Sequence, residues 1–158
     1  EKNEARITPA RKDAAVRMAK AYIYFHEGKY DKAIEQIDSL LAQDFDFAIR
    51  RQSLLLRAAY KLFEQDKADI EDVKDRCRTY REFFERDTYK LAKSRKANYL
   101  HLAYYVEEMA AHHYNYRKEP PKPAQELRAE LAEKVPAASG WVREELGRLS
   151  GAGVSAGS

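Results

Sequence analysis

The chain has 158 residues, 44% of them hydrophobic and 35% charged, with a formal net charge of +3. That size suits one domain of about 150 residues. The mixture excludes a disordered tail, and no apolar run approaches the ~20 residues that span a bilayer, which excludes membrane insertion. A charge so near balance does not by itself imply nucleic acid or a lipid surface as the partner.

Helix breakers decide the fold class. Of six glycines only Gly28 precedes Gly140, and no proline lies between Pro9 and Pro120. A sheet of that length needs turn residues that are missing. Alanine occurs 24 times and threonine three times. The expectation is an all-α chain of about seven helices over residues 1–150, ending in a linker-like tail, GAGVSAGS.

Thr8 and Pro9 suit the cap and first turn of a helix reaching His26, with Val16, Ala19 and Ile23 marking its apolar face. Gly28 closes it. A second helix, Asp31 to Gln43, carries Ala33, Ile34, Ile37, Leu40 and Leu41. The third, Phe47 to Gln65, carries Leu54 to Leu56, Ala58, Ala59, Leu62 and Phe63. The fourth, Asp69 to Arg86, buries Ile70, Val73, Cys77, Tyr80 and Phe84. A fifth runs from Thr88 to Arg117, roughly 45 Å, along Tyr99, Leu102, Val106, Met109, His113 and Tyr116. Pro120, Pro121 and Pro123 end it. A sixth spans Ala124 to Lys134, Pro136 breaks it, and Ser139 caps a seventh, Trp141 to Leu149.

An Ala-Tyr pair recurs at Ala21-Tyr22, Ala59-Tyr60 and Ala103-Tyr104, always in an odd-numbered helix. A small residue there lets a paired helix approach closely. The segment Ala14–Phe45 resembles a tetratricopeptide (TPR) repeat. Ala21 sits at the small first-helix position, Tyr24 at the aromatic one, and Gly28-x-Tyr30-x-x-Ala33 matches the inter-helix turn. Arg17 stands where the family has tryptophan, and Phe45 lies where its terminal proline falls. Later helices match less well, so the array resembled is a degenerate one. Trp141-Val142-x-Glu144 is similar to the capping helix that closes some bacterial TPR proteins.

The resemblance implies a right-handed stack of three helical hairpins and a capping helix, with Trp141 largely buried. It also implies a non-enzymatic protein or peptide-binding scaffold. Its concave groove would present Met18, Tyr22, Phe25, His26, Ser53, Leu56, Tyr60, His101 and Tyr104, with Tyr22 and Tyr60 on one face. The alternative is a structural or self-associating module of a larger protein. The start at Glu1 in place of methionine fits an excised module, and cytoplasm is the favoured compartment in a chain showing no signal peptide.

Residues 76–96 hold eight cations, among them Arg78, Arg81, Lys93, Arg95 and Lys96, against three carboxylates. Tyr80, Tyr89 and Tyr99 interleave with them, the pattern by which single-stranded nucleic acid is gripped. It stands as a further alternative beside the plainer reading of a solvated helix face. Catalysis, metals and cofactors find no support. Cys77, the only cysteine, sits on an apolar helix face, where thiols are buried and inert. Glu108 and His112, at i and i+4, read as a surface pair, and three convergent metal ligands are missing. No glycine-rich phosphate cradle precedes Gly140.

Overall fold

The computed structural model describes residues 9–40, 44–86 and 90–157. Among the described residues every regular element is a helix, seven in all. Thr8, Leu41, Thr88 and Tyr89 lie outside them. Where length suggests one domain, the chain divides into two units, Glu1–Lys67 and Ala68–Ser158.

The first unit holds α1 (Pro9–His26), α2 (Tyr30–Ile37) and α3 (Phe45–Glu64). α1 buries Ala14, Met18, Ala21 and Phe25, the stripe that 3.6 residues per turn places on one side, and packs chiefly on α2. Val16, Ala19 and Ile23, expected to form the buried face, lie on the opposite side. Val16 is 52% exposed and Ile23 56%. α1 is apolar on two sides, and spacing alone does not say which one α2 covers.

Gly28 does what the turn motif asks of it. At φ +80° its N–H donates to the Phe25 carbonyl, while Lys29 N–H donates to the Tyr24 carbonyl. This paired closure of a helix end needs a left-handed residue. Tyr30 then packs edge-on to Phe25 at 5.1 Å, and the small, fully buried Ala33 admits α2 closely.

α2 stops at Ile37, short of the expected Gln43, because α3 takes its terminal carbonyls. Arg51 donates through Nε to the Ile37 carbonyl at 2.7 Å and through Nη2 to that of Asp38. Those groups have no partner within the helix. α3 begins under an Asp44 cap, whose Oδ1 accepts the Phe47 N–H at 2.8 Å. Leu54, Leu55 and Leu56 are all fully buried, so α3 is enclosed on several sides. It ends as α1 does, with Asp66 N–H on the Phe63 carbonyl and Lys67 N–H on that of Leu62, but the left-handed residue, at φ +62°, is Asp66.

The second unit holds α4 (Ile70–Glu85), α5 (Lys93–His113), α6 (Ala124–Glu130) and α7 (Ser139–Gly157). Asp69 and Asp72 cap α4 reciprocally, and Val73, Cys77, Tyr80 and Phe84 are buried, as their spacing predicts. α4 packs on α5, and α7 on α5 and α6. α5 is shorter than the expected Thr88–Arg117: Lys90 turns left-handed and Tyr114 is extended. α6 ends at Glu130, where a turn returns the Lys134 N–H to the Glu130 carbonyl.

The last helix outruns its expected end at Leu149. α7 runs through Gly157, so the backbone of 151–157 is helical. Trp141 is partly buried, with most of its surface covered, and Val142 and Leu146 are fully buried. The i, i+4 pair faces inward, and Trp141 stands about 100° round the helix from Val142.

Two measurements check this account. Gly28→Ala should cost about 1 kcal/mol, the penalty of a left-handed L-residue, because an added Cβ meets nothing within 4 Å. Asp66→Gly should stabilise by several tenths of a kcal/mol for the same reason; urea melts of the full chain read both signs. Leu146→Ala should cost about 3 kcal/mol as a fully buried truncation, and Trp141→Ala about 2–3 kcal/mol as the loss of a large, mostly covered ring. A negligible loss at Trp141 would rule out a tryptophan cap.

Candidate functional site

The first unit carries a cleft of about 530 Å³ between α1 and the start of α3. α1 contributes Arg11, Ala15, Met18, Ala19 and Tyr22, while the N-terminal end of α3 contributes Asp44, Phe47 and Arg50. Met18 and Phe47 are buried beneath it, and Tyr22 is half-buried at its edge. Asp44 ties the two helices together. One carboxylate oxygen caps α3 and the other accepts from Arg11 Nη2 at 3.1 Å. Both partners of that ion pair are half-exposed, so it positions the helices more than it stabilises them. The cleft is an apolar trough with two guanidiniums and one carboxylate at its rim, fit to bind an apolar side chain and orient a polar neighbour.

Sequence reasoning placed Met18 and Tyr22 here, but not the rest of its groove. Phe25, Ser53, Leu56 and Tyr60 are buried, Leu56 and Tyr60 completely. Tyr60 therefore does not share an open face with Tyr22, and these four are core residues. His26 is exposed outside the cleft lining. The Ala-Tyr pattern explains the error: Ala21, Ala59 and Ala103 are all buried, so the small residue is equivalent each time and its tyrosine is not. Arg11, Asp44 and Arg50 were missed. The signal was available in Asp44, an acidic cap immediately before an apolar run.

His101 and Tyr104 belong to a different assembly, within the second unit. One side of α5 is a ladder of polar groups that holds the connection between α5 and α7. His101 Nδ1 lies 2.9 Å from the Val135 carbonyl. Tyr104 donates to Glu130 at 2.8 Å, with Lys134 Nζ 3.9 Å over its ring. Tyr105 donates to the Lys134 carbonyl at 2.8 Å, and His112 Nε2 lies 2.7 Å from the Lys122 carbonyl.

At the centre stands Glu108, which is 7% exposed. It accepts from Arg117 Nη1 at 2.6 Å and Nη2 at 3.3 Å, and from the Lys122 N–H at 2.9 Å. The expected Glu108–His112 surface pair is thus replaced: each side chain reaches the proline-rich connection. Burial pushes the Glu108 carboxyl up, but the Arg117 and Lys122 bonds outweigh it and leave its pKa below the ordinary carboxylate value. Glu130 shifts the same way: burial is outweighed by its bonds to Lys122 and Tyr104.

In the basic stretch several groups are already engaged within the second unit. Arg78 pairs with Asp75 at 3.0 Å and Arg81 with Glu107 at 2.5 Å. Tyr80 is fully buried, and Tyr99 lies parallel to Phe84 at 4.6 Å, with Arg95 6.0 Å above its ring. Lys93 is exposed and Lys96 half-buried. Cys77 is fully buried; burial first, then the nearby Glu107, pushes its thiol up to about 12. Among the described residues no group of three His, Cys, Asp or Glu side chains could hold a metal ion. None of their helices is long and apolar enough to cross a membrane.

Compared with protein-family models, curated proteins and solved structures, the chain matches none.

Glu108→Gln should cost about 2–3 kcal/mol, the range for hydrogen bonds to a charged group. The pH dependence follows from the sign of the shift. A carboxyl whose folded pKa is depressed contributes stability that is fully present above its unfolded value, about 4.3, and lost as pH falls through the folded value. Wild-type stability should therefore fall steeply only in acid. Glu108→Gln should flatten that slope in chemical melts between pH 2 and 6; an unchanged slope would show the carboxylate is not clamped.

Proposed function

We propose that this chain is a non-enzymatic scaffold that binds a peptide or protein segment in the cleft between α1 and α3. The observation that carries this reading is the cleft itself. Concave sites lined by apolar residues, with a few placed polar groups, are where ligands bind, and Tyr and Arg at such a rim are the residue types that most often anchor partners.

The TPR-like reading supports it. The Gly28-x-Tyr30-x-x-Ala33 turn closes α1 with a left-handed glycine and brings in α2 over a fully buried Ala33. In a repeat array the first helices of successive pairs line the concave side, and α1 and α3 are the helices in those places. The chemistry points away from catalysis: the one thiol is buried with a raised pKa, and Glu108 is committed to holding a loop.

A peptide-display selection on the full chain tests the reading. Recovered peptides should lose at least tenfold in affinity to Ala19→Glu, while helical content and melting stay unchanged, because Ala19 is exposed and lines the cleft. Tyr22→Ala should lose a smaller but measurable amount, as rim aromatics do. Peptides that bind the Ala19→Glu chain equally well would move the site elsewhere. A selection returning nothing above background would refute the scaffold.

A further inference from the structure

The return from α5 to α6 is completed by Pro120-Pro121-Lys122-Pro123, a P-x-x-P sequence. Three of its four φ angles are held at about −65° by proline rings. A residue that precedes proline is driven to extended ψ, which applies to Pro120 and Lys122. Pro123 shows the result, at φ −57° and ψ 147°, and residues 120–123 contain no turn or bend. This is polyproline II geometry, with three residues to the turn. Pro120 and Pro123 therefore share an edge, roughly 9 Å apart. Both are exposed, while Pro121 and Lys122 are half-buried. The Lys122 edge faces the protein: its N–H donates to Glu108 at 2.9 Å, its carbonyl lies 2.7 Å from His112 Nε2, and its ammonium meets Glu130 at 2.5 Å.

We propose that this segment docks into a protein domain whose groove is lined by aromatic side chains, with Pro120 and Pro123 as the two ridges it grips. The backbone chooses this partner over a pairing strand. Of the four residues only Lys122 has an N–H, and Glu108 already accepts it, so the segment has no donor with which to join a sheet edge. What it can offer is ring faces and the carbonyl oxygens of Pro120 and Pro121, since the Pro123 carbonyl accepts from the Leu127 N–H at 3.0 Å. An aromatic groove matches both: its ring faces pack on proline, and Tyr and Trp bring O–H and N–H donors to the carbonyls. The anchors at Lys122 fix the segment before any partner arrives, so little conformational entropy is left to lose on binding. The site lies in the second unit and uses no residue of the cleft between α1 and α3.

The test titrates the full chain into a panel of purified, labelled SH3 and WW domains, whose grooves are of this kind, and reads fluorescence anisotropy. At least one domain should bind, and synthetic decaproline, itself a polyproline II helix, should displace the chain from it. Pro120→Ala and Pro123→Ala should each weaken binding roughly tenfold, as loss of an anchor does, while Pro121→Ala, on another edge, should cost about threefold at most. Circular dichroism should be unchanged in all three. Ala19→Glu, which obstructs the cleft, should leave this binding as it is, so failure here and failure of the cleft reading are separate results. A panel that gives no binding would overturn the proposal, as would binding that decaproline does not displace or that Ala19→Glu removes. An equal loss at Pro121 would overturn the shared edge. The decaproline competition decides the matter on the unaltered chain even where a proline variant melts early.

Discussion

A carboxylate removed from water must be met by partners, and in the second unit everything after α5 is arranged around that requirement. An ionised Glu108 left alone in the interior would cost several kcal/mol. Arg117 and the Lys122 N–H answer it, and to reach it the chain must fold back directly after α5. Asn115 shapes that return, accepting from Arg117 N–H and donating to the Glu119 carbonyl. Pro120, Pro121 and Pro123 then add no backbone donors that would need burial. With Lys122 fixed, its ammonium meets Glu130 at 2.5 Å, which sets α6, and α6 with α5 forms the bed for α7. One buried charge thus orders a connection that its proline-rich composition would otherwise leave extended.

The first unit solves its geometry at helix ends. Asp44 caps α3 and holds Arg11, and Arg51 takes the last carbonyls of α2. These ties fix α3 against both earlier helices within its first two turns. The cleft lies where that geometry leaves α1 and α3 apart, so its apolar floor and charged rim come from the same residues that build the unit.

How much of this could be read in the sequence depends on how local each cause is. The helical class and the order of seven elements follow from missing glycine and proline, a property of the chain itself. The Gly28 turn, the α4 stripe and the inert Cys77 are likewise local. Other features turn on which neighbour arrives. α1 has two apolar sides, and only the position of α2 makes Ala14 interior and Ile23 exposed. Tyr60 and Tyr22 follow the same dipeptide, yet one is enclosed and the other is not. Glu108 looked like one of 26 ordinary carboxylates, and its partner Arg117 lies beyond the helix that carries it. Of the cleft, Met18 and Tyr22 were legible, but its charged rim waited on the approach of α3.

The guanidinium at the end of α2 has a consequence for the order of events in folding. A helix of eight residues lies well below the ~12–15 that persist alone in water, and the side chain that finishes it belongs to a later segment. The hairpin of α1 and α2 therefore gains little by forming early. It becomes worth forming when Arg51 arrives, which couples the turn at Gly28 to a residue 23 positions further along the chain. The first unit should accordingly assemble as one cooperative step, with its transition state requiring α3 already docked, and local hairpin formation following as its result.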